Sequence, residues 1–123
     1  MKWKRVSKGF INEPIVEYLE KIFDEEMAKG YGIKVCIGTD SKRRGVGYQF
    51  ATAIVVALTE NIGKDKFGRD IHQGKGGMVI GGAYFDSTQR KGKEGVKERM
   101  MKEVAKTIEI ACEISPLLDL YDI

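Results

Sequence analysis

Asp40, Glu103 and Asp122 are the residues of this 123-residue chain whose types and placement suit chemistry. Asp40 closes the run I-K-V-C-I-G-T-D-S at 33–41, which alternates as a strand does. Successive strand side chains point oppositely, so Ile33, Val35, Ile37 and Thr39 share one face and Lys34, Cys36, Gly38 and Asp40 the other. Gly38 has no side chain and Cys36 a compact one, which lets a metal, a helix or a ligand backbone approach the carboxylate. The simpler use of Asp40 is to open a turn, because Asp and Ser both bond their own backbone there. Glu103 falls in a predicted helix over 96–115. At about 100° per residue its angular neighbours are Val96, Met100, Thr107, Ile110 and Ile114, so it is the only charge in an apolar or neutral arc. Such a carboxylate is costly unless it is paired, hydrogen-bonded, bound to a cation, or at the boundary and reaching water. Asp122 lies in L-L-D-L-Y-D-I at 117–123, which reads as the start of a further strand. With a helix intervening, that strand can return parallel to the first in a right-handed crossover and bring Asp122 near Asp40. Oxygen ligands of this kind suit Mg²⁺ or Mn²⁺, and phosphoryl chemistry is the natural use of such a cluster.

The elements that must position these carboxylates follow in order. Residues 1–10 carry Lys2, Lys4, Arg5 and Lys8 around Trp3 and read as a lead-in strand or a basic arm. A helix is expected over 12–29, with Asn12 as N-cap, Pro14 in the first turn, and Glu13 and Glu17 at the positive end of the dipole. Ile15, Leu19, Ile22, Phe23 and Met27 form its apolar stripe, and Gly30 is placed to end it. After the strand at 33–41 comes the basic turn Lys42-Arg43-Arg44-Gly45. Residues 48–58 read as a long buried strand, 59–77 as an exposed, basic, Gly-rich hairpin extension, and 78–85 as a third strand, together an antiparallel meander. His72, the only histidine, sits in the extension with nothing nearby to orient it. A turn carrying Arg90, Lys91 and Lys93 feeds the second helix, which Pro116 is expected to end. On that helix Val96, Met100, Val104, Ile108 and Ala111 are expected to be buried, and Glu98, Glu109 and Glu113 to share a solvated face with Arg99, Lys102 and Lys106.

The length and a hydrophobic fraction of 42% fit one domain, 1–123, with a single core. A net charge of +3 does not itself declare a polyanion partner, so the case for nucleic acid rests on clustering of the basic residues. Cys36, in a buried strand, and Cys112, on a helix, lack any CxxC or Cys/His spacing and read as reduced packing residues. No run approaches a membrane span and the basic N-terminus has no sustained apolar core, so no membrane partner is expected and the cytoplasm is the default.

The order strand-strand-strand-helix-strand, with G-T-D-S closing the first strand, resembles the ribonuclease-H-like superfamily and more narrowly the YkuK-type family of predicted nucleases. The matching pieces are I-G-T-D-S at 37–41, F-A-T-A-I-V-V at 50–56, R-M-M-K-E at 99–103 and, more weakly, L-Y-D-I at 120–123. The resemblance implies an α/β fold with a mixed sheet: three antiparallel strands, a crossover helix, a fourth strand parallel to the first, and the N-terminal helix besides. It implies that Asp40, Glu103 and Asp122 match the acidic metal-binding and catalytic positions of a Mg²⁺- or Mn²⁺-dependent nuclease acting on RNA, DNA or a hybrid. Ser41, Lys42, Arg43, Arg44, Lys91 and Lys93 would then contact phosphates. A non-catalytic nucleic-acid-binding or assembly module of the same fold is the alternative. A nucleotide phosphate binder is weaker, because there is no second matching half. Family members continue past the fourth strand, so a chain ending in mid-sheet is expected to pair with itself as a homo-oligomer.

Overall fold

Alternation over 33–41 does become a strand, and a longer one than the periodicity required. In the computed structural model, which describes residues 2–6, 8–86 and 92–123, β3 (Gly32–Arg44) pairs antiparallel with β4 (Gly47–Lys64), from Gly32↔Thr59 to Arg44↔Gly47. Gly45, at φ +59°, turns the hairpin in a conformation that glycine adopts without steric cost. β4 in turn pairs with β5 (Asp70–Asp86) out to Lys64↔Asp70. The Gly-rich stretch at 59–77 is thus a hairpin extension as expected, but built of paired strand. Register shifts between Ala57 and Thr59 and between Asn61 and Gly63 absorb its irregularity.

The basic lead-in is a strand as well. β1 (Lys2–Arg5) pairs with β5, and β2 (Gly9–Phe10) with β1, giving a five-stranded sheet of order β2-β1-β5-β4-β3. Every pairing in it is antiparallel. Trp3 explains why the arm docks: it is buried with Ile15, Leu19 and Phe23 in the core.

The two helices lie against the face of β3 that carries Ile33, Val35, Ile37 and Thr39. α1 (Ile15–Ala28) buries Ile15, Leu19, Ile22 and Phe23 on the expected stripe. Its N-cap is Pro14 rather than Asn12, and no side chain caps it. α2 (Gly92–Leu120) turns the opposite way from expectation. Among the described residues Ile110, Ile114 and Leu117 are its buried large apolar side chains, whereas Val96, Met100, Val104 and Ile108 are 46–59% exposed. Its apolar stripe points outward, and the arc containing Glu103 points to the sheet.

The expected fourth strand parallel to the first does not form. Residues 117–120 belong to α2, which passes through Pro116. The pattern in L-L-D-L-Y-D-I is helical: Leu117, Leu118 and Tyr121 meet the core while Leu120 is 74% exposed. Pro116 is itself exposed. One lost hydrogen bond there is outweighed by the anchoring beyond it. Tyr121 packs edge-on to Phe23 with centroids 5.5 Å apart, and its hydroxyl donates to Asp24. That bond to Asp24, with some burial, raises the Tyr121 pKa to about 12. The carboxylate accepts only from the protonated phenol, so the contact holds below the ordinary tyrosine range and fails as pH climbs through the raised value.

Close packing distinguishes two glycines. A Cβ on Gly77 would lie 2.3 Å from the Val56 carbonyl oxygen, whereas one on Gly38 would meet nothing within 4 Å. Gly77→Ala should therefore lose about 1–3 kcal/mol in urea unfolding, and Gly38→Ala should stay within about 0.5 kcal/mol of the parent.

Candidate functional site

The arrangement around Asp40 begins with hydroxyls on the helix-facing side of β3. Thr39 Oγ1 lies 2.9 Å from Thr52 Oγ1 on β4 and 2.8 Å from Thr107 Oγ1 on α2. Thr107 also lies 3.0 Å from the Glu103 carbonyl oxygen, the back-bond that Ser and Thr make within helices. One turn of helix earlier, the Ser41 hydroxyl donates to Glu103 Oε1. Glu103 is not a solvated boundary residue: it is half-buried and accepts from the strand.

Asp40 lies between Thr39 and Ser41, so alternation sends its side chain to the other face of the sheet. There it is exposed, and its Oδ1 accepts the amide of the next residue, Ser41, at 2.8 Å; β3 runs on to Arg44, so Asp40 does not open a turn as the simpler reading of it expects. Small residues surround it as expected. A shallow concavity of about 1050 Å³ on this bare face is lined by Gly38, Ala51, Ala53, Gly81 and Ala83, with Lys2, Lys4 and Phe10 at one side. Cys36 stands on this face and is exposed, as is Cys112, so neither is the buried packing residue that the sequence suggested.

Asp122 belongs to the end of α2. Its φ of 57° is left-handed, its amide bonds the Asp119 carbonyl at 3.2 Å, and the Ile123 amide bonds that of Leu118 at 2.9 Å. This pair of bonds is the Schellman closure of a helix, and Asp122 stands where glycine usually does. At 1.5 Å per residue the helix end lies about 25 Å along the axis from Glu103, far beyond the span of one ion's ligands.

The three carboxylates are therefore not brought together. Among the described residues no group of three His, Cys, Asp or Glu is placed to hold a metal ion. The donor set does not fit a preassembled Mg²⁺ or Mn²⁺ centre, which needs converging oxygens.

Of the expected phosphate contacts, Lys42, Arg43 and Arg44 are exposed at the β3–β4 turn, and Ser41 is half-buried against Glu103. Lys91 lies outside the described residues, and Lys93 falls in the first turn of α2. A second cationic group was hidden from the helical wheel. Arg99 lies 4.5 Å over the Tyr48 ring and Lys106 5.2 Å over Tyr84, while Lys102 bonds Asp86 at 2.6 Å. Hydrogen bonding to Asp86 raises the Lys102 pKa, and burial raises that of Tyr84. The usable signal was the strand pattern, which places Tyr48 and Tyr84 on the helix-facing side.

The chain matches the family described as Ribonuclease H-like over residues 14–122. It belongs to that family. No curated protein and no solved structure matches it. Among the described residues no helix is long and apolar enough to cross a membrane.

The Ser41–Glu103 bond is testable by a double-mutant cycle. Ser41→Ala and Glu103→Gln should each destabilise by about 1 kcal/mol. The pair should lose less than the sum, with a coupling of at least about 0.5 kcal/mol in denaturant unfolding.

Proposed function

We propose that this chain is a nucleic-acid-binding domain of ribonuclease-H-like fold whose partner is RNA, DNA or a hybrid. The observation that carries this reading is the turn Lys42-Arg43-Arg44. Its three consecutive cations are exposed, and among the described residues none of them forms an ion pair. Three cations of the hairpin extension behave otherwise, Lys75 pairing with Glu60 at 3.0 Å, Arg69 with Asp65 at 3.1 Å and Lys64 with Asp70 at 3.9 Å, while Lys66 lies over the Phe67 ring. Cations left unneutralised by the fold suit phosphates, which release counterions when bound and carry no sequence information. Lys91 and Lys93 follow β5 in the chain, and the proposal includes them from the sequence alone.

Family membership favours a second reading, a metal-dependent nuclease in which Asp40, Glu103 and Asp122 hold Mg²⁺ or Mn²⁺. It requires the carboxylates to converge from opposite faces of a strand and from the far end of a helix, so no catalytic step is derived for it.

One experiment separates the readings. Neutralising Arg43 and Arg44 to Gln should weaken binding equally for unrelated labelled duplexes and lower the salt slope by about 2. Wild type incubated with Mn²⁺ should cleave no faster than Asp40→Asn. Unchanged binding in the Arg variant, or a loss confined to one sequence, contradicts the binding reading. Metal-dependent cleavage abolished by Asp40→Asn establishes the nuclease in its place.

A further inference from the structure

We infer that the bare face of the sheet is where two copies of this chain meet, packed face to face about a twofold axis parallel to the strands. Among the described residues helices cover one side of the sheet only, and the middle of the other side, between Lys34, Asp40 and Lys42 on β3 and Lys2 and Lys4 on β1, is built of small and apolar residues. A contiguous apolar face of this kind marks an interaction surface.

The strand registers show what fits it. Residues directly opposite each other in neighbouring strands share a face, so one row across the sheet runs Asp40, Ala51, Ala83, Lys2. The next row runs Gly38, Ala53, Gly81, Lys4. In a third, Cys36, Val55 and Val79 follow one another, and the Val6 amide bonds the Val79 carbonyl at 3.0 Å. Each row has a centre lying between β4 and β5, and across that centre like stands opposite like: Ala and Ala, Ala and Gly, Val and Val. At the ends Asp40 on β3 stands across from Lys2 on β1, and the flanking rows carry Lys34 with Ala57 and Gly77, and Lys42 with Gln49 and Phe85.

A twofold axis along that centre turns each row onto itself in the second copy. Ala51 then meets the partner copy's Ala83 position, and Asp40 meets its Lys2 position, twice over by symmetry. Charge complementarity thus selects a second copy of this chain in this orientation. In the single chain both groups are underused. Among the described residues Asp40 forms no ion pair, and Lys2 rests 4.3 Å over the exposed Phe10 ring. The small central residues allow the two sheets to approach to the usual spacing of about 10 Å or closer.

Size supports the same occupant. Four strands at about 4.8 Å and several same-face positions at about 6.8 Å make a flat patch of roughly 500 Å². That is the larger part of the roughly 800 Å² per partner of a standard interface. The inference does not rest on nucleic-acid binding. It excludes the cleaving reading at Asp40, because a face closed by a second copy leaves no access for a scissile phosphate.

Sedimentation velocity at micromolar concentration is the test. Wild type should run as a dimer. Ala53→Arg, which places bulk on the bare face, and Asp40→Lys should each weaken association at least tenfold while far-UV circular dichroism stays unchanged. Lys2→Asp combined with Asp40→Lys should restore the dimer. Val104→Glu, on the outward stripe of α2, should leave it intact. A monomeric wild type, a dimer indifferent to Ala53→Arg or Asp40→Lys, or one broken by Val104→Glu overturns the inference.

Discussion

Thr39, Thr52 and Thr107 meet at hydrogen-bond distance where α2 crosses β3, and Ser41 bonds Glu103 one helical turn away. This polar seam lies at one end of an otherwise apolar contact in which Ile110, Ile114 and Leu117 are buried. Buried hydroxyls left without partners are expensive, and each bond made is worth about 1 kcal/mol net. Rotating α2 to bury Met100 and Val104 would take Thr107 from Thr39 and Glu103 from Ser41 and set apolar side chains in their place. The seam therefore fixes the rotation of α2, and with it the outward exposure of the apolar stripe.

The same seam decides where the acid of G-T-D-S points. Thr39 and Ser41 both engage the helix layer, so the period of the strand leaves Asp40 no choice but the far side. A one-residue shift in register would reverse every assignment, but thirteen consecutive paired positions between β3 and β4 forbid it. Two faces of different character result. One is apolar with a hydroxyl seam and holds the helices. The other is small, bare and bordered by Lys2, Lys4 and Asp40.

Much of this was legible in the sequence. Period-two alternation located β3 and the face of Asp40, composition located β4 and β5, and the stripe of α1 came out with Ile15, Leu19, Ile22 and Phe23 buried and Met27 partly so. The second helix was read with the wrong side inward because Val96, Met100, Val104 and Ile108 are more apolar than the arc that packs. Wheel arithmetic cannot see that the strand opposite offers hydroxyls. The end of the chain misled for a related reason. Pro116 signals a stop and L-L-D-L-Y-D-I is short enough to suit either period, but the edge-on contact of Tyr121 with Phe23 decides for the helix. Asp122 lost its place in the acidic set with that strand.

Methyl and side-chain nuclear Overhauser effects across β3 and α2 test the orientation of Asp40 most directly. The account predicts a cross-peak between the Thr39 and Thr107 methyl groups, and contacts from the Asp40 β-protons to Ala51 across the bare face. Contacts from the Asp40 β-protons to the Glu103 side chain, with none between Thr39 and Thr107, would contradict it.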